Sequence, residues 1–507
     1  MLFEGFSTIF SSGAVLYLVV GVTIGIIIGS LPGLTGTMGM TLLLPFTYSL
    51  PSDVALGALI GLFAGAIYGG SIAAILLRTP GTPAAGATLL DGYPMAKAGQ
   101  AGRALATATI ASATGGLIGA LTLSFLAPLI AKVALKFGAA EYVWLAVYGL
   151  TMISFVSGKS LAKGYIGGLI GLLVATIGID PITGVFRFTF DSMNLMGGIS
   201  IQAMLIGLFA VAAALNSIEE YDKPQIKQIK IKKVGISLKD GIRILPHVIK
   251  SAFIGTFIGA IPGTGTDIAA FLSYGEAKRS SKNSEKFGKG AIEGIAAPEA
   301  GNNACVNGAL IPMFTLGIPG EAGTAVLLGA LMVLGLQPGP LLFRDSPEVI
   351  YSVFASTITS NLLIILLGLL GARIFAKILK LPKNMVTAVI FALALTGAFA
   401  MRNNVLDLFT AAFAGIIGYF MTKADYPVAP VLLGIILGPT VEQNLSRALL
   451  ISGGSFSILF TRPISIGFIV IIALTLFSHF RRQRKKKKSR ADIIAEEVAA
   501  ETAHLED

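Results

Sequence analysis

The residues of this chain that suit chemistry lie at four Pro-Gly pairs that interrupt apolar segments. The four pairs are Pro32-Gly33, Pro80-Gly81, Pro262-Gly263 and Pro319-Gly320. A break in a membrane helix frees backbone carbonyls, which attract cations such as Na⁺, and exposes N–H groups at the next helix start, which attract anions. Nearby threonine and serine hydroxyls serve either ion, because a hydroxyl both donates and accepts hydrogen bonds. The four breaks therefore predict a site for a carboxylated anion and a cation.

We assign the first and third breaks, with the polar residues that follow them, to a bound Na⁺. The predicted cation-binding residues are Gly33, Thr35, Gly36, Thr37, Gly263, Thr264, Gly265, Thr266 and Asp267. The other two breaks, with residues from neighbouring segments, are predicted to hold the substrate carboxylates. The predicted substrate-binding residues are Ser71, Thr79, Pro80, Gly81, Thr82, Asn302, Asn303, Pro319, Gly320, Glu321 and Thr324. The structural alternatives are plain helix kinks at the breaks and hydrogen bonds between helices at Asn302 and Asn303.

Ionisable side chains near these breaks are further candidates. Asp267, Glu299 and Glu321 lie in segments predicted to be at membrane level, where such groups are costly and are expected to be functional. The alternative for each is a position at the membrane interface. Arg78, beside the second break, is interpreted either as a partner of a substrate carboxylate or as an interfacial side chain that extends toward water.

The elements that must position these residues are membrane helices. The 507 residues are 54% hydrophobic and 13% charged, with a mean hydropathy of +0.80, whereas a soluble domain has roughly 25% charged residues. The net charge of +11 lies largely in short loops and one tail, where it orients the chain in the lipid bilayer and indicates no nucleic acid. The single cysteine, Cys305, is interpreted as a small buried side chain, and three separated histidines suggest no metal cluster. The sequence predicts an all-α polytopic membrane protein.

The first and third breaks belong to a sequence repeat. The segment IGIIIGSLPG, residues 24–33, returns as IGTFIGAIPG, residues 254–263. Positive residues mark cytoplasmic loops; they follow the second copy at residues 278–289 and are absent after the first copy at residues 46–57. The pattern predicts an inverted-topology repeat with broken helices and re-entrant hairpins, in which each hairpin arm crosses about half of the bilayer.

Hydrophilic stretches divide the chain into two membrane repeats. We place the first membrane repeat at residues 1–215, a cytoplasmic linker at 216–250, the second membrane repeat at 251–480 and a cytoplasmic basic and acidic tail at 481–507. A shorter polar loop is expected at residues 91–103, after the second break. The C-terminus is predicted in the cytoplasm, since the run RRQRKKKK is typical of a cytoplasmic stop signal.

Several long motifs, in this order, resemble the large membrane subunit of the bacterial tripartite tricarboxylate transporter family. They are GSLPGLTGTMG, YGGSI, RTPGTPAA, DGYPMAKAG, AIPGTGTD, KFGKGAIEGIAAPEAGNNA, LGIPGEAGTAVLLGAL, LPKN and YPVAPVLLGIILG. The resemblance spans roughly residues 15–460. It implies a secondary transporter of the bacterial cytoplasmic (inner) membrane that imports a di- or tricarboxylate such as citrate, typically with Na⁺. It also implies two partners, a small integral-membrane subunit and a periplasmic solute-binding protein. An elevator-like shift of the hairpins is expected by analogy with other hairpin carriers.

Other function classes were compared with a carboxylate carrier. An intramembrane aspartyl protease needs Tyr-Asp and Gly-x-Gly-Asp within its spans, whereas Tyr221-Asp222 lies in the polar linker and Thr266 separates Gly265 from Asp267. We therefore expect no enzyme. A carboxylate or anion channel is a weaker alternative, because it would not require two inverted broken segments. A permease for a non-tricarboxylate organic anion stays open, because members of the family also serve other substrates.

Overall fold

The computed structural model describes residues 2–151, 160–180, 183–219, 229, 231, 233–379 and 381–477. This part of the chain is helical apart from breaks, loops and a short antiparallel pair, β1 (Gly178–Ile179) with β2 (Phe186–Arg187), in which Gly178 is opposite Arg187. The predicted tail at residues 481–507 and the middle of the predicted linker, with Tyr221-Asp222, lie outside the described residues.

The helices divide at the predicted linker into two groups. The first group is α1 (Leu2–Ser11), α2 (Ala14–Ser30), α3 (Gly36–Thr47), α4 (Ser52–Leu77), α5 (Ala85–Met95), α6 (Ala101–Ala134), α7 (Ala139–Thr151), α8 (Leu161–Ala175), α9 (Met193–Met196), α10 (Ile201–Leu205) and α11 (Ala212–Glu219). Short π-helical turns at Ala96–Gln100 and Ile206–Val211 join α5 to α6 and α10 to α11. The second group is α12 (Leu238–Gly259), α13 (Gly265–Ser280), α14 (Glu293–Leu316), α15 (Ala322–Val333), α16 (Leu341–Asp345), α17 (Pro347–Ile378), α18 (Lys383–Ala400), α19 (Val405–Lys423), α20 (Ala429–Ile451), α21 (Ile458–Thr461) and α22 (Pro463–Phe477), and a 3₁₀ turn at Ser284–Lys286 precedes α14.

Length and composition identify the membrane spans. Among the described residues, six helices or continuous helix pairs are long and apolar enough to cross a bilayer, and α1 with α2, which are bent by 87°, are counted as a further span when taken together. A crossing requires about 20 predominantly apolar residues. The prediction of an all-α polytopic membrane protein is confirmed.

Two helices lie at the centre of the bundle, enclosed by protein. The apolar window of α4 is 100% buried, and α14 is buried from Glu293 to Thr315. Polar side chains such as Glu299 and Asn307 are tolerated on α14 because protein, not lipid, surrounds them. These central helices carry the second and fourth breaks at their C-terminal ends.

The same contacts recur where α2 packs on α4 and where α12 packs on α14. A Cβ at Gly25 would lie 2.2 Å from the Leu62 carbonyl oxygen, and a Cβ at Gly255 would lie 2.0 Å from that of Gly301. Only glycine permits such a close approach of two helix backbones. Gly25 and Gly255 occupy the same place in the sequence repeat, so the two halves share one packing arrangement. The inverted orientation of the halves in the membrane stays a prediction.

The ends of the central helices are also equivalent. Arg78 directly follows α4 and Gly317 directly follows α14, and both residues adopt left-handed backbone conformations, with φ of 55° and 70°. This conformation at a helix C-terminus ends the helix and turns the chain. Each end leads directly into a Pro-Gly break, at Pro80-Gly81 and Pro319-Gly320 respectively.

Two expectations about loops and arms are wrong. The segment predicted as a polar loop at residues 91–103 is mostly helical: α5 ends at Met95, the chain turns at Gly99, where φ is 81°, and α6 begins at Ala101. The second membrane repeat was expected to begin at residue 251 with a hairpin arm of about half a bilayer, but α12 already begins at Leu238, within the predicted linker. Its 22 residues measure about 33 Å, which exceeds half a bilayer. Ser237 caps this helix by accepting a hydrogen bond from the Asp240 N–H at 3.1 Å, a start signal that hydropathy alone overlooks.

Candidate functional site

The third and fourth breaks meet in the structure. The backbone N–H of Gly263 donates to the carbonyl oxygen of Gly320 at 2.6 Å, and the N–H of Thr266 donates to Glu321 Oε2 at 3.3 Å. One partner in each pair was predicted to bind the cation and the other to bind the substrate. The structure therefore brings the two predicted sets together at the start of α13 and α15.

Local hydrogen bonds shape both of these breaks. The Thr264 hydroxyl lies 2.5 Å from the carbonyl oxygen of Ile258 and 2.9 Å from that of Ile261, two carbonyls at the end of α12 that also accept from the N–H groups of Ile261 and Thr264. At the start of α15, the Glu321 N–H donates to the Thr324 hydroxyl oxygen at 2.9 Å. Backbone groups at the end of one helix and the start of another thus converge on a small volume.

Two carboxylates lie beside Gly265 in this junction. A Cβ at Gly265 would lie 2.8 Å from Asp267 Oδ1 and 3.9 Å from Glu321 Oε2. Neither carboxylate has a basic partner among the described ion pairs. Asp267 is exposed, whereas Glu321 is partly buried, with an Oε1 atom that is buried and accepts no hydrogen bond. Two unpaired acidic groups in such proximity favour a bound cation, since like charges repel.

The first break approaches the fourth break across the ring of Phe63 on α4. A Cβ at Gly36 would lie 3.3 Å from the Phe63 ring, and a Cβ at Gly323 would lie 2.3 Å from it. Thr35 caps α3 by accepting a hydrogen bond from the Met38 N–H at 3.2 Å. Gly33 and Thr35 are exposed, while Thr37 is half-buried. The first break thus borders the junction without a hydrogen bond to it within the described part of the chain.

The second break is folded back on α4. The Gly81 N–H donates to the Gly70 carbonyl oxygen at 3.2 Å. Thr82 is buried against Gly70, and its Oγ1 has no hydrogen-bond partner. The Ser71 hydroxyl donates to its own helix, to the Tyr68 carbonyl oxygen at 2.7 Å. Thr82 is therefore the hydroxyl of this break that is free to bind a ligand.

Arg78 beside this break points away from the buried residues. Its side chain is exposed and its guanidinium carbon lies 5.8 Å from the centroid of the Tyr93 ring. This is the distance of a cation–π contact. Thr79 bonds only locally, to the Leu77 carbonyl oxygen at 3.3 Å, and Pro80 is exposed. These three residues are thus less suited to binding a substrate than Thr82.

Asn302 and Asn303 are fully enclosed in α14. Asn303 Nδ2 donates to Asn302 Oδ1 at 2.8 Å and lies 3.3 Å from the Glu299 carbonyl oxygen. No hydrogen bond joins either asparagine to the second or the fourth break within the residues that the structure describes. The bond between helices expected of an asparagine is made instead by Asn307, which donates to the Gly116 carbonyl oxygen of α6 at 2.9 Å.

Buried polar atoms without partners concentrate among the predicted substrate residues. Nine side-chain atoms of this kind occur in the described residues. Four of the nine are Thr82 Oγ1, Asn302 Nδ2, Asn303 Oδ1 and Glu321 Oε1. Such atoms are costly, because folding removes their hydrogen bonds to water without replacement. A bound ligand or water offsets that cost.

The sequence analysis missed two polar clusters that surround α14. The hydroxyls of Thr88 on α5 and Ser112 on α6 form hydrogen bonds with the two oxygens of Glu299. Asp91, placed in a polar loop by the sequence analysis, is buried and accepts hydrogen bonds from the Tyr274 hydroxyl and from the N–H groups of Gly290 and Ala291. The bonded residues are about 200 positions apart in the chain. No local sequence pattern therefore indicates that they meet.

One family model and two curated relatives match this chain. The profile described as "Tripartite tricarboxylate transporter TctA family" matches residues 15–433. The chain is 37% identical over 488 residues to the "Uncharacterized 52.8 kDa protein in TAR-I ttuC' 3'region" of Agrobacterium vitis, covering 95% of this chain and 97% of the relative. It is also 36% identical over 234 residues to the "Uncharacterized protein in TAR-II ttuC' 3'region" of the same organism, covering 45% and 97%. No solved structure matches this chain significantly.

Proposed function

The chain belongs to the tripartite tricarboxylate transporter TctA family, and from this membership we propose that it imports a di- or tricarboxylate such as citrate together with Na⁺. The family makes it the large membrane subunit of a tripartite transporter rather than an enzyme. The identity of the substrate and of the coupling ion is proposed in addition to this family membership.

The observation that carries the proposal is the junction of the third and fourth breaks. It combines backbone carbonyls at the end of α12, the hydroxyl of Thr264 and the carboxylates of Asp267 and Glu321, which are the oxygen donors that hard cations prefer. These residues would hold Na⁺, and the ion would supply positive charge beside the substrate. Glu321 lies at the N-terminus of α15, and a helix N-terminus attracts anions. A Na⁺ ion bound at this point would therefore lie next to a second feature that favours the substrate carboxylate.

The substrate carboxylates are assigned to the second and fourth breaks. Thr82, before α5, supplies a buried hydroxyl that has no partner. Gly320 and Thr324 flank the start of α15, where backbone N–H groups face outward from the helix end. Asn302 on α14 adds an unpartnered Nδ2 group, which can donate to a carboxylate. The unpartnered atom of Asn303 is Oδ1, which only accepts, so it suits a cation or a protonated group.

The partners follow from the tripartite organisation of the family. We infer a small integral-membrane subunit and a periplasmic solute-binding protein that delivers the anion. The inner membrane is the corresponding location, with the C-terminus in the cytoplasm. Binding of both partners to this chain is testable by co-purification from the producing cells.

The test is uptake by vesicles that contain the complete complex and a panel of radiolabelled di- and tricarboxylates. The proposal expects saturable uptake that requires the binding protein and an inward Na⁺ gradient. Asp267→Asn and Glu321→Gln should weaken the dependence on Na⁺, while Glu348→Gln, at an exposed position at the start of α17, should leave it unchanged. Uptake that does not saturate and needs no gradient would instead identify a channel. Normal Na⁺ dependence in both junction variants would remove the cation from this junction.

A further inference from the structure

The carboxyl of Glu299 lies in the middle of α14 without contact to solvent. Its exposed fraction is 0%, and none of the ion pairs in the described part of the chain includes it. A buried carboxylate without a cationic partner is strongly disfavoured in its charged form. The group must therefore bind either a proton or a metal cation.

The distances around Glu299 favour a proton. Thr88 Oγ1 lies 2.5 Å from Oε1, and Ser112 Oγ lies 2.7 Å from Oε2. These are lengths of O–H···O hydrogen bonds. Two oxygen ligands at right angles on one cation, each about 2.4 Å from it, would be about 3.4 Å apart. The oxygens of Thr88 and Ser112 lie closer than this to those of Glu299, so no metal ion is bound between them. Since a hydroxyl both donates and accepts, a protonated carboxyl donates to one neighbour and accepts from the other.

No other ionisable group is bonded to this carboxyl within the described residues, because the candidates on the surrounding helices have partners of their own. Tyr68 of α4 bonds to Thr109, and Asp91 of α5 bonds to Tyr274 of α13. Three basic residues on the packed helices are paired elsewhere, namely Arg103 of α6 with Asp240, Arg243 of α12 with Glu293, and Lys250 of α12 with Glu276. Lys132, Lys239 and Lys278 on these helices are exposed, away from the buried carboxyl.

We propose that Glu299 is a proton-binding site, separate from the junction of the third and fourth breaks, which binds one proton and releases it during transport. On release, the carboxyl O–H bond breaks and the proton passes to water, leaving a carboxylate. Thr88 and Ser112 belong to different helices, so a displacement of α14 against α5 or α6 breaks the hydrogen bonds and admits water. Asn303 lies one helical turn from Glu299 on α14. The negative charge that remains on Glu299 after the proton is released therefore disfavours an anion bound near Asn303.

The first test needs no substrate and is independent of the proposed function. Infrared difference spectra of the purified protein between low and high pH should contain the C=O stretch of a buried, protonated carboxyl. Glu299→Gln should remove this band, and Asp407→Asn should keep it, because Arg402 holds Asp407 as a paired carboxylate. Ser112→Ala should shift the band without removing it. A band that persists in Glu299→Gln would overturn the proposal.

The second test concerns transport and rests on the proposed function. In vesicles that contain the complete complex and a constant inward Na⁺ gradient, Glu299→Gln should retain exchange of labelled for unlabelled citrate but lose the increase in net uptake that an added pH gradient produces. Unchanged net uptake and unchanged pH dependence would overturn the role of Glu299 in coupling. If the wild-type complex takes up no carboxylate at all, the proposed function fails, and the infrared spectra still decide whether Glu299 binds a proton.

Discussion

Gly263 donates its backbone N–H to the carbonyl oxygen of Gly320 at 2.6 Å, which joins the third break of the chain to the fourth. Each of these glycines is the second residue of a Pro-Gly pair, and each pair lies between two helices. The bond places the N-terminus of α13 beside that of α15. Two helix starts, each with outward N–H groups, therefore share one site with the carboxylates of Asp267 and Glu321.

The break glycines should not tolerate β-branched residues. Gly33 and Gly263 have φ of 93° and 84°, a region in which an L-residue costs about 1–2 kcal/mol. Gly33→Val and Gly263→Val should abolish carboxylate uptake while the protein still inserts into the membrane. Gly13→Val is the control for strain alone, because Gly13 has φ of 72° and its Cβ would meet nothing within 4 Å. Normal uptake by both break variants would count heavily against their predicted roles.

A substitution of Thr82 can distinguish whether this residue binds the substrate or only stabilises the fold. Thr82→Val keeps the shape of the side chain and removes a buried hydroxyl that has no hydrogen bond, so thermal stability should be unchanged or higher. Uptake should nevertheless fall. Thr109→Val is the matched variant: it removes a hydroxyl bonded to Tyr68 at 2.8 Å, which should cost about 1–2 kcal/mol. If Thr82→Val transports normally, Thr82 does not bind the substrate.

The close approach of α12 to α14 predicts a large effect of a single methyl group. Gly255→Ala would place a Cβ 2.0 Å from the Gly301 carbonyl oxygen, so the helices must separate, at a cost of about 1–3 kcal/mol. Gly275→Ala, on the exposed face of α13 where a Cβ meets nothing within 4 Å, should instead stabilise the helix by about 0.5–1 kcal/mol. Thermal unfolding in detergent measures both changes. Equal midpoints for the two variants would show that the packing of α12 on α14 is looser than described.

Asp91 should stabilise the contact between the two halves. It accepts hydrogen bonds from the Tyr274 hydroxyl at 3.0 Å and from the N–H groups of Gly290 and Ala291 at 2.8 and 2.7 Å. Asp91→Ala removes the acceptor of all three hydrogen bonds and should cost about 2–3 kcal/mol in thermal unfolding. Tyr274→Phe removes one bond only and should cost about 1 kcal/mol. Asp91→Ala with no greater effect than Tyr274→Phe would show that the two backbone bonds contribute little.

The sequence by itself determined the class of protein and the places where its helices break. An apolar composition with few charges is compatible only with membrane helices, and proline with glycine interrupts such a helix through local backbone chemistry. Pro32-Gly33 and Pro262-Gly263 could be paired because the repeat retains the flanking residues.

Only the tertiary structure decided which of the broken segments meet. The contact of Gly263 with Gly320 and the hydrogen bonds of Thr88 and Ser112 to Glu299 join residues far apart in the chain, and such pairing depends on helix packing that no local pattern encodes. Helix α12 begins earlier than expected because the cap at Ser237 outweighs the polar composition of the segment. Asp91 was predicted to lie in a loop because it is charged. It is buried in the structure because its hydrogen-bond donors, Tyr274, Gly290 and Ala291, come from the other half of the molecule.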